Sequence, residues 1–552
     1  MSTVIGNGCA PTRRVDKILA SSSSISFVAR NVTVNGIAAA NNSMTSVQQR
    51  RFLGSNGENG EESMRCLHTL RELQNRISDK KNGLPQELSA KLCRQYLDLD
   101  SSLARSNNIT DEGELMNVTA IKRMFLQELV SNSGPNITSI SEHVRNYTKV
   151  VKQTETNDNE TKRSLLSSIR QLRHSCKPKY EELFETLLSE AEHSEGMHFL
   201  IKLREDLRQA IFFGQSSSSS TENYNAELRE MDVNLKRMLS VWFSSGILEL
   251  KRITYEETPA AVIEKIARKE SVHPLTGLND LKKRLGTHRR CFAFFHPSLP
   301  GEPLVFVHVA LLPSIAQSMN EIDLLTDDVR DTVTQRSCAI FYSINSTQKG
   351  LSGVELGTLL IKNVCRMLKR DIPEIDTFST LSPIPGFRKW MEQKLIHNKT
   401  TFVDPSLFTN MEREELTKLF KCQTEDMGHA LISLFDNNIW TEGKFKQEEE
   451  EVLKGVLMGL AARYVAEEKY RGKPLCPVAR FHCKNGAEIF RLNWKADLSR
   501  QGMQRSAGIM VNYLYRLDSI QENHIKYELY DSIKINDSVM KLIYHHHLKS
   551  NL

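Results

Sequence analysis

Two segments of this chain carry side chains that could do chemistry. The first runs Gly350-Leu351-Ser352-Gly353-Val354-Glu355-Leu356-Gly357-Thr358 and leads, through a stretch with helical periodicity, to Ser382. Glycines between a strand and a helix let the backbone approach a ligand closely. The unpaired N–H groups and the dipole at the helix start then attract a diphosphate. Ser382 closes a β-rich run, and Pro383 and Pro385 after it hold a stiff exit that would fix a hydroxyl's direction. The layout offers a cradle for a phosphate-bearing ligand with a hydroxyl beside it. The loop has no Lys-Ser/Thr after its last glycine and is not G-x-G-x-x-G, so alone it fits a plain tight turn equally well. Ser382 lacks a G-x-S-x-G setting, which argues against a hydrolase nucleophile.

The second segment holds His482, between Phe481 and Cys483 and just before Asn485-Gly486. Imidazole trades protons near neutral pH, although a histidine in apolar company also serves as a core residue. The spacing predicts a strand over 478–484, a type I′ turn at Asn485-Gly486 and a return strand over 487–494. On such a strand Cys483 would face away from His482. A basic run, Lys282, Lys283, Arg284, His288, Arg289 and Arg290, could meet phosphate groups, or form a solvated helix face or an internal contact.

The elements that must position these residues change character near residue 245. Residues 51–245 read as a helical bundle, with apolar periodicity over 87–101, 112–131, 160–175 and 180–213. Ser216 to Ser220 lie in a flexible connection within it. From 246 to 552 strand and helix signals alternate. Strands are predicted over 291–296, 303–312, 337–344, 377–381 and 508–515, and helices over 354–370, 411–435 and 446–466. The fold class is α+β: an all-α N-terminal bundle, then an α/β domain with a mixed sheet.

Composition narrows the function. The 552 residues carry a net charge of +6, small for the length, which argues against a dedicated nucleic-acid binder. No run approaches the roughly 18 apolar residues of a membrane helix. Ten cysteines are scattered without C-x-x-C or a zinc-like spacing, and read as reduced thiols and small buried hydrophobes. The first 50 residues are basic and serine-rich, with Asp16 the only acid, like a mitochondrial transit segment. Ser550-Asn551-Leu552 departs by one residue from the peroxisomal S-K-L signal.

Several ordered segments resemble the malonyl-CoA decarboxylase family. They include H-P-L-T-G-L-N-D-L-K-K-R-L-G (273–286), R-R-C-F-A-F-F-H (289–296), P-G-E-P-L-V-F-V-H-V-A-L (300–311) and A-I-F-Y-S-I (339–344). G-V-E-L-G-T (353–358), L-S-P-I-P-G-F (381–387), P-V-A-R-F-H (477–482) and N-G-A (485–487) complete the set. The resemblance covers most of 238–518, extends more loosely over the helical half, and omits 1–50. It implies a C-terminal catalytic domain similar to the GCN5-type acetyltransferase fold. It also implies that Ser352, Gly353, Val354, Glu355, Leu356, Gly357 and Thr358 bind coenzyme A, that Ser382 and His482 are catalytic, and that Tyr515 belongs to the site. The implied substrate is malonyl-CoA, converted to acetyl-CoA and carbon dioxide, with no metal or further organic cofactor. The implied assembly is a homotetramer; the location, read from the two end segments, is mitochondrial, peroxisomal or both, with the cytoplasm left open. The acetyltransferase loop pattern Q/R-x-x-G-x-G/A is only partly met, with Glu355 at its first glycine. An acyl-CoA N-acyltransferase and a non-catalytic acyl-CoA scaffold are the competing readings.

Overall fold

The structure is a computed structural model that describes residues 65, 67–72, 86–105, 112–153, 159–190, 194–214, 222–325, 336–395, 407–436 and 445–550. The basic first 50 residues, the Ser216 to Ser220 run, and Asn551 and Leu552 lie outside them. Described helices of the N-terminal half are α1 (Gln86–Arg105), α2 (Glu112–Ser133), α3 (Ile137–Gln153), α4 (Asn159–Ser175), α5 (Lys179–Glu190), α6 (Ser194–Gly214) and α7 (Glu222–Trp242). Their apolar stripes close on Tyr96, Phe125 and Phe199, whose rings meet at 4.7 to 6.2 Å.

An eight-stranded mixed sheet organises the second half. Its strands are β1 (Glu249–Ile253), β2 (Arg289–Phe295), β3 (Val305–Leu312), β4 (Cys338–Ser346), β5 (Thr377–Thr380), β6 (Ser382–Pro383), β9 (Glu488–Asn493) and β10 (Met510–Tyr515). A separate small hairpin joins β7 (Lys469–Tyr470) to β8 (Lys473–Pro474). Every residue of β2 and β3 is buried, which explains their near-continuous apolar runs. β4 and β5 form the parallel pair, with Phe341 opposite Thr380. Helix α8 (Leu356–Asp371) makes the crossover between them. β6 continues β5 along β10, setting Ser382 opposite Val511. β9 covers the other side of β10.

The expected helix over 411–435 is two helices, α9 (Asn410–Phe420) and α10 (Met427–Asp436). Lys421 takes a left-handed conformation, φ 52°, and ends the first. Helix α11 (Gln447–Ala466) follows the expected span closely. The predicted hairpin strand over 478–484 is instead helix α12 (Pro477–Lys484). Asn485 has φ −80° and Gly486 φ 83°, so they cannot form a type I′ turn, which needs both positive. That geometry belongs to Arg471-Gly472 between β7 and β8, at φ 52° and 79°. The apolar core is continuous from the helical half into the sheet, through Ile201, Leu207 and Leu351.

Candidate functional site

One cavity of about 1050 Å³ brings the two segments together. Beyond Phe341 and Thr380, β4 and β6 no longer pair, and the cavity occupies that opening. Phe341 to Ile344 of β4 line one side, and Ser382 and Pro383 the other. Every residue from Ser352 to Thr358 lines it, as does His482. Tyr515 is not on the wall; it stands behind His482, within hydrogen-bond distance of its ring.

His482 reaches the cavity because 477–484 is helical. Pro477 sits at the first helical position, where a missing N–H is harmless and φ is already suitable. At the other end Gly486 N–H donates to the Cys483 carbonyl at 3.0 Å and Ala487 N–H to the His482 carbonyl at 3.0 Å. These two bonds terminate a helix through a left-handed glycine. A Cβ on Gly486 would fall 2.1 Å from the Ile520 carbonyl oxygen, so only glycine fits. On a helix His482 and Cys483 point about 100° apart rather than to opposite faces of a strand, which corrects that expectation, and both are buried.

At the inner end of the cavity Ser382 Oγ lies 3.4 Å from His482 Nε2. Ser382 O–H donates to Thr380 Oγ1 at 3.0 Å, and His482 Nδ1 lies 2.7 Å from Tyr515 Oη. With the serine proton on Thr380, the ring hydrogen belongs on Nε2, and Nδ1 accepts from Tyr515 O–H. Both ionisations agree with this. Burial lowers the His482 pKa to about 3, keeping the imidazole neutral. Burial raises the Tyr515 phenol well above its ordinary value. The Tyr513 ring, stacked 4.5 Å from the imidazole, holds its plane.

Helix α8 meets the cavity with its first turn. Leu359 N–H donates to the Glu355 carbonyl, and the N–H groups of Gly357 and Thr358 precede that bond. Three contacts bolt this turn to α12. Thr358 Oγ1 donates to Asn485 Oδ1 at 2.7 Å, Lys484 pairs with Glu355, and Gly357 lies under the Phe481 ring. Gly353 has φ 82°, and its α-carbon faces the Lys236 stem from α7.

Four contributors escaped the sequence reading. Arg204 on α6 is fully buried. Its Nη1 donates to the carbonyls of Gly350 and Ser352, and its Nε donates to Asp232 Oδ1 at 2.8 Å. A Cβ on Gly350 would lie 1.8 Å from the Ile201 carbonyl oxygen, so α6 packs directly on the loop. Arg204 was visible as a charge on an apolar face, with Leu200, Leu203 and Leu207 around it. Thr380 is the acceptor for Ser382. Ser343, on the cavity wall, donates to Glu270 at 2.7 Å and accepts from Asn345 Nδ2 at 2.8 Å. Burial pushes the Glu270 carboxyl up, but nearby His308 and its hydrogen bonds from His273, Ser343 and Val272 outweigh this and leave it lowered.

The basic run does not line the cavity. Arg284 is buried against Asp280 at 2.8 Å, and Arg289 is buried over the Tyr342 ring at 5.3 Å. These arginines hold the sheet to its flanking helix.

Residues 246–551 match the malonyl-CoA decarboxylase C-terminal domain, and 134–243 the N-terminal domain. The chain is 38% identical over 385 residues to the mitochondrial malonyl-CoA decarboxylase of Anser anser anser, spanning 69% of this chain and 72% of that protein. It is 39% identical over 384 residues to that of Rattus norvegicus, spanning 69% and 74%. A crystal structure of malonyl-CoA decarboxylase from Agrobacterium vitis superposes with a TM-score of 0.65 at 28% identity, covering 88% of this chain and 99% of that one.

Proposed function

The chain belongs to the malonyl-CoA decarboxylase family, and we propose that Ser382 and His482 carry its reaction while the Ser352 to Thr358 loop holds coenzyme A. It is a carboxy-lyase that converts malonyl-CoA to acetyl-CoA and carbon dioxide. The observation that carries the catalytic reading is the 3.4 Å contact between Ser382 Oγ and His482 Nε2 at the closed end of the cavity.

Decarboxylation breaks the bond between the carboxylate and the α-carbon. The electron pair moves onto the thioester carbonyl, and carbon dioxide leaves. Donors aimed at the resulting enolate oxygen lower the barrier by roughly 3 kcal/mol each. The N–H groups of Gly357 and Thr358, in the first turn of α8 on the cavity wall, would supply them or hold the pyrophosphate. The α-carbon then takes the proton of His482 Nε2, and the electron pair returns to form the acetyl group. Tyr515 O–H on Nδ1 offsets the charge left on the ring, and solvent restores the proton. Ser382 orients the malonyl group. A positioned acid of this kind contributes about 10²–10⁴-fold.

The likeness to a GCN5-type acetyltransferase is supported by the parallel pair β4–β5, its crossover helix, and a cavity where the pair separates. The contact between copies that a homotetramer needs is supported by the α3–α4 hairpin. Ile137, Val144 and Val151 form an exposed stripe at seven-residue spacing on α3, with Leu166 and Ile169 exposed on α4. The relatives named mitochondrial and the basic first 50 residues support a mitochondrial location. Fluorescent fusions with one terminus left free in turn separate a mitochondrial from a peroxisomal destination.

The full chain should release carbon dioxide and acetyl-CoA from malonyl-CoA. Ser382→Ala and His482→Asn should lose most turnover while still binding coenzyme A in calorimetry. Equal loss of binding and turnover would remove both from the chemistry.

A further inference from the structure

The cavity has a second wall that the loop and the catalytic pair do not use. Five residues of α6 line it: Glu205, Arg208, Gln209, Phe212 and Phe213. Phe212 and Phe213 are 70% and 66% exposed, an unusual state for two adjacent phenyl rings. Their centroids lie 5.6 Å apart at 77°, so they present a face and an edge to the same space. Cations stand beside them. Arg208 reaches only to 3.7 Å from Asp232, whose carboxylate already accepts from Arg204 at 2.8 Å. Lys349 is 77% exposed, and its nearest carboxylate, Glu205, is 4.0 Å away. Lys236 lies against Gly353, which lines the cavity. Glu205 also pairs with Lys202 at 3.3 Å, which reduces the negative charge facing the wall.

We propose that this α6 wall binds the nucleotide end of coenzyme A, with the adenine against Phe212 and Phe213 and the phosphates facing Arg208, Lys236 and Lys349. The proposal rests on the coenzyme A reading given above and deepens it. A thioester whose acyl group lies at Ser382 and whose pyrophosphate lies at Gly353–Thr358 must send its adenosine outward. The wall next along the cavity is α6. An aromatic face suits a purine because every base has a π surface to stack. Cations without tight partners suit a polyanion, since little existing pairing has to be broken. The helical half would thus bind substrate directly as well as support the sheet.

The test compares malonyl-CoA with malonyl-pantetheine, which has the same reacting group and no nucleotide. In the full chain, Phe212→Ala/Phe213→Ala should lower the ratio of kcat/KM for malonyl-CoA over malonyl-pantetheine by roughly tenfold. Arg208→Gln should lower the same ratio, and more at low salt than at high salt. Phe212→Tyr/Phe213→Tyr should restore it. An unchanged ratio overturns the proposal. So does a change in native mass that accounts for the loss, since the two rings would then belong to a contact between copies. If the parent releases no carbon dioxide, the decarboxylase reading fails separately. Calorimetry of coenzyme A against pantetheine on parent and variant then still decides the wall: weaker coenzyme A binding in the variant supports it, and equal binding overturns it.

Discussion

Arg204 on α6 donates to the carbonyl of Ser352 at 2.9 Å, so a helix of the N-terminal half holds the glycine loop of the C-terminal half. The guanidinium is fully buried and Asp232 fixes it from behind. Arginine suits the place because its fork reaches the two carbonyls and the carboxylate together.

Arg204→Gln removes the charge and leaves loop carbonyls unpaired. Stability should fall by about 2–4 kcal/mol. Coenzyme A affinity should fall with it, and Arg204→Lys should recover part of the affinity. Thermal unfolding and calorimetry check both. Full affinity in a destabilised Arg204→Gln protein would show that the loop keeps its shape without the tether.

Tyr515→Phe deletes only the oxygen 2.7 Å from His482 Nδ1. The ring still fills its buried place, so the fold should persist. We expect kcat to fall roughly 10–100-fold with little change in KM, because the interaction matters most when the ring gives up its proton. Steady-state kinetics with malonyl-CoA decide it; an unchanged kcat would exclude Tyr515 from the relay.

The buried imidazole also makes a pH prediction. The His482 pKa is about 3 in the folded chain against an ordinary 6.5. Below pH 6.5 the unfolded chain takes a proton that the folded chain refuses until about pH 3. The stability that neutral His482 contributes is therefore complete above pH 6.5 and declines as pH falls toward 3, by up to about 1.4 kcal/mol per unit. His273 and His308 are lowered by burial too, so the parent's slope is shared. Denaturant unfolding at pH 5.0 and 7.5 should show a smaller difference for His482→Asn than for the parent. The same difference in both would mean that His482 is not refusing the proton.

Gly357→Ala probes the seam between the loop and α12. Its Cβ would lie 2.9 Å from Cε2 and Cζ of Phe481, the neighbour of His482. Displacing that ring should cost about 1–3 kcal/mol and lower kcat. Phe481→Leu in the same chain should return part of the turnover by making room. Kinetics on the two single variants and the pair measure the coupling, and strict additivity would mean that the two residues do not communicate.

Legibility followed the kind of signal each residue leaves. The strands at 305–312 and 338–346 were readable because both faces are buried and the apolar run is nearly unbroken. The loop at 350–358 was readable because positive φ at Gly353 demands glycine, and glycine is visible in a sequence. The helix at 477–484 was misread because eight residues ending in Asn-Gly satisfy a hairpin pattern as well as a helix end. The deciding contact, Ile520 against Gly486, lies 34 positions along the chain. Arg204 was passed over because a charge in a helix is ordinarily surface, and only Asp232 together with two acceptors in a distant loop makes burial tolerable.

The sequence by itself determined the helical half, the central sheet strands from 289 to 380, the glycine loop and the residue types available for proton transfer. Each of these follows from local periodicity and backbone sterics. Only the tertiary structure decided that Ser382 and His482, a hundred positions apart, lie 3.4 Å from each other, that Tyr515 backs the ring, and that α6 closes the cavity. Those relationships depend on long-range packing, where a buried polar group persists only if a partner from elsewhere in the chain satisfies it.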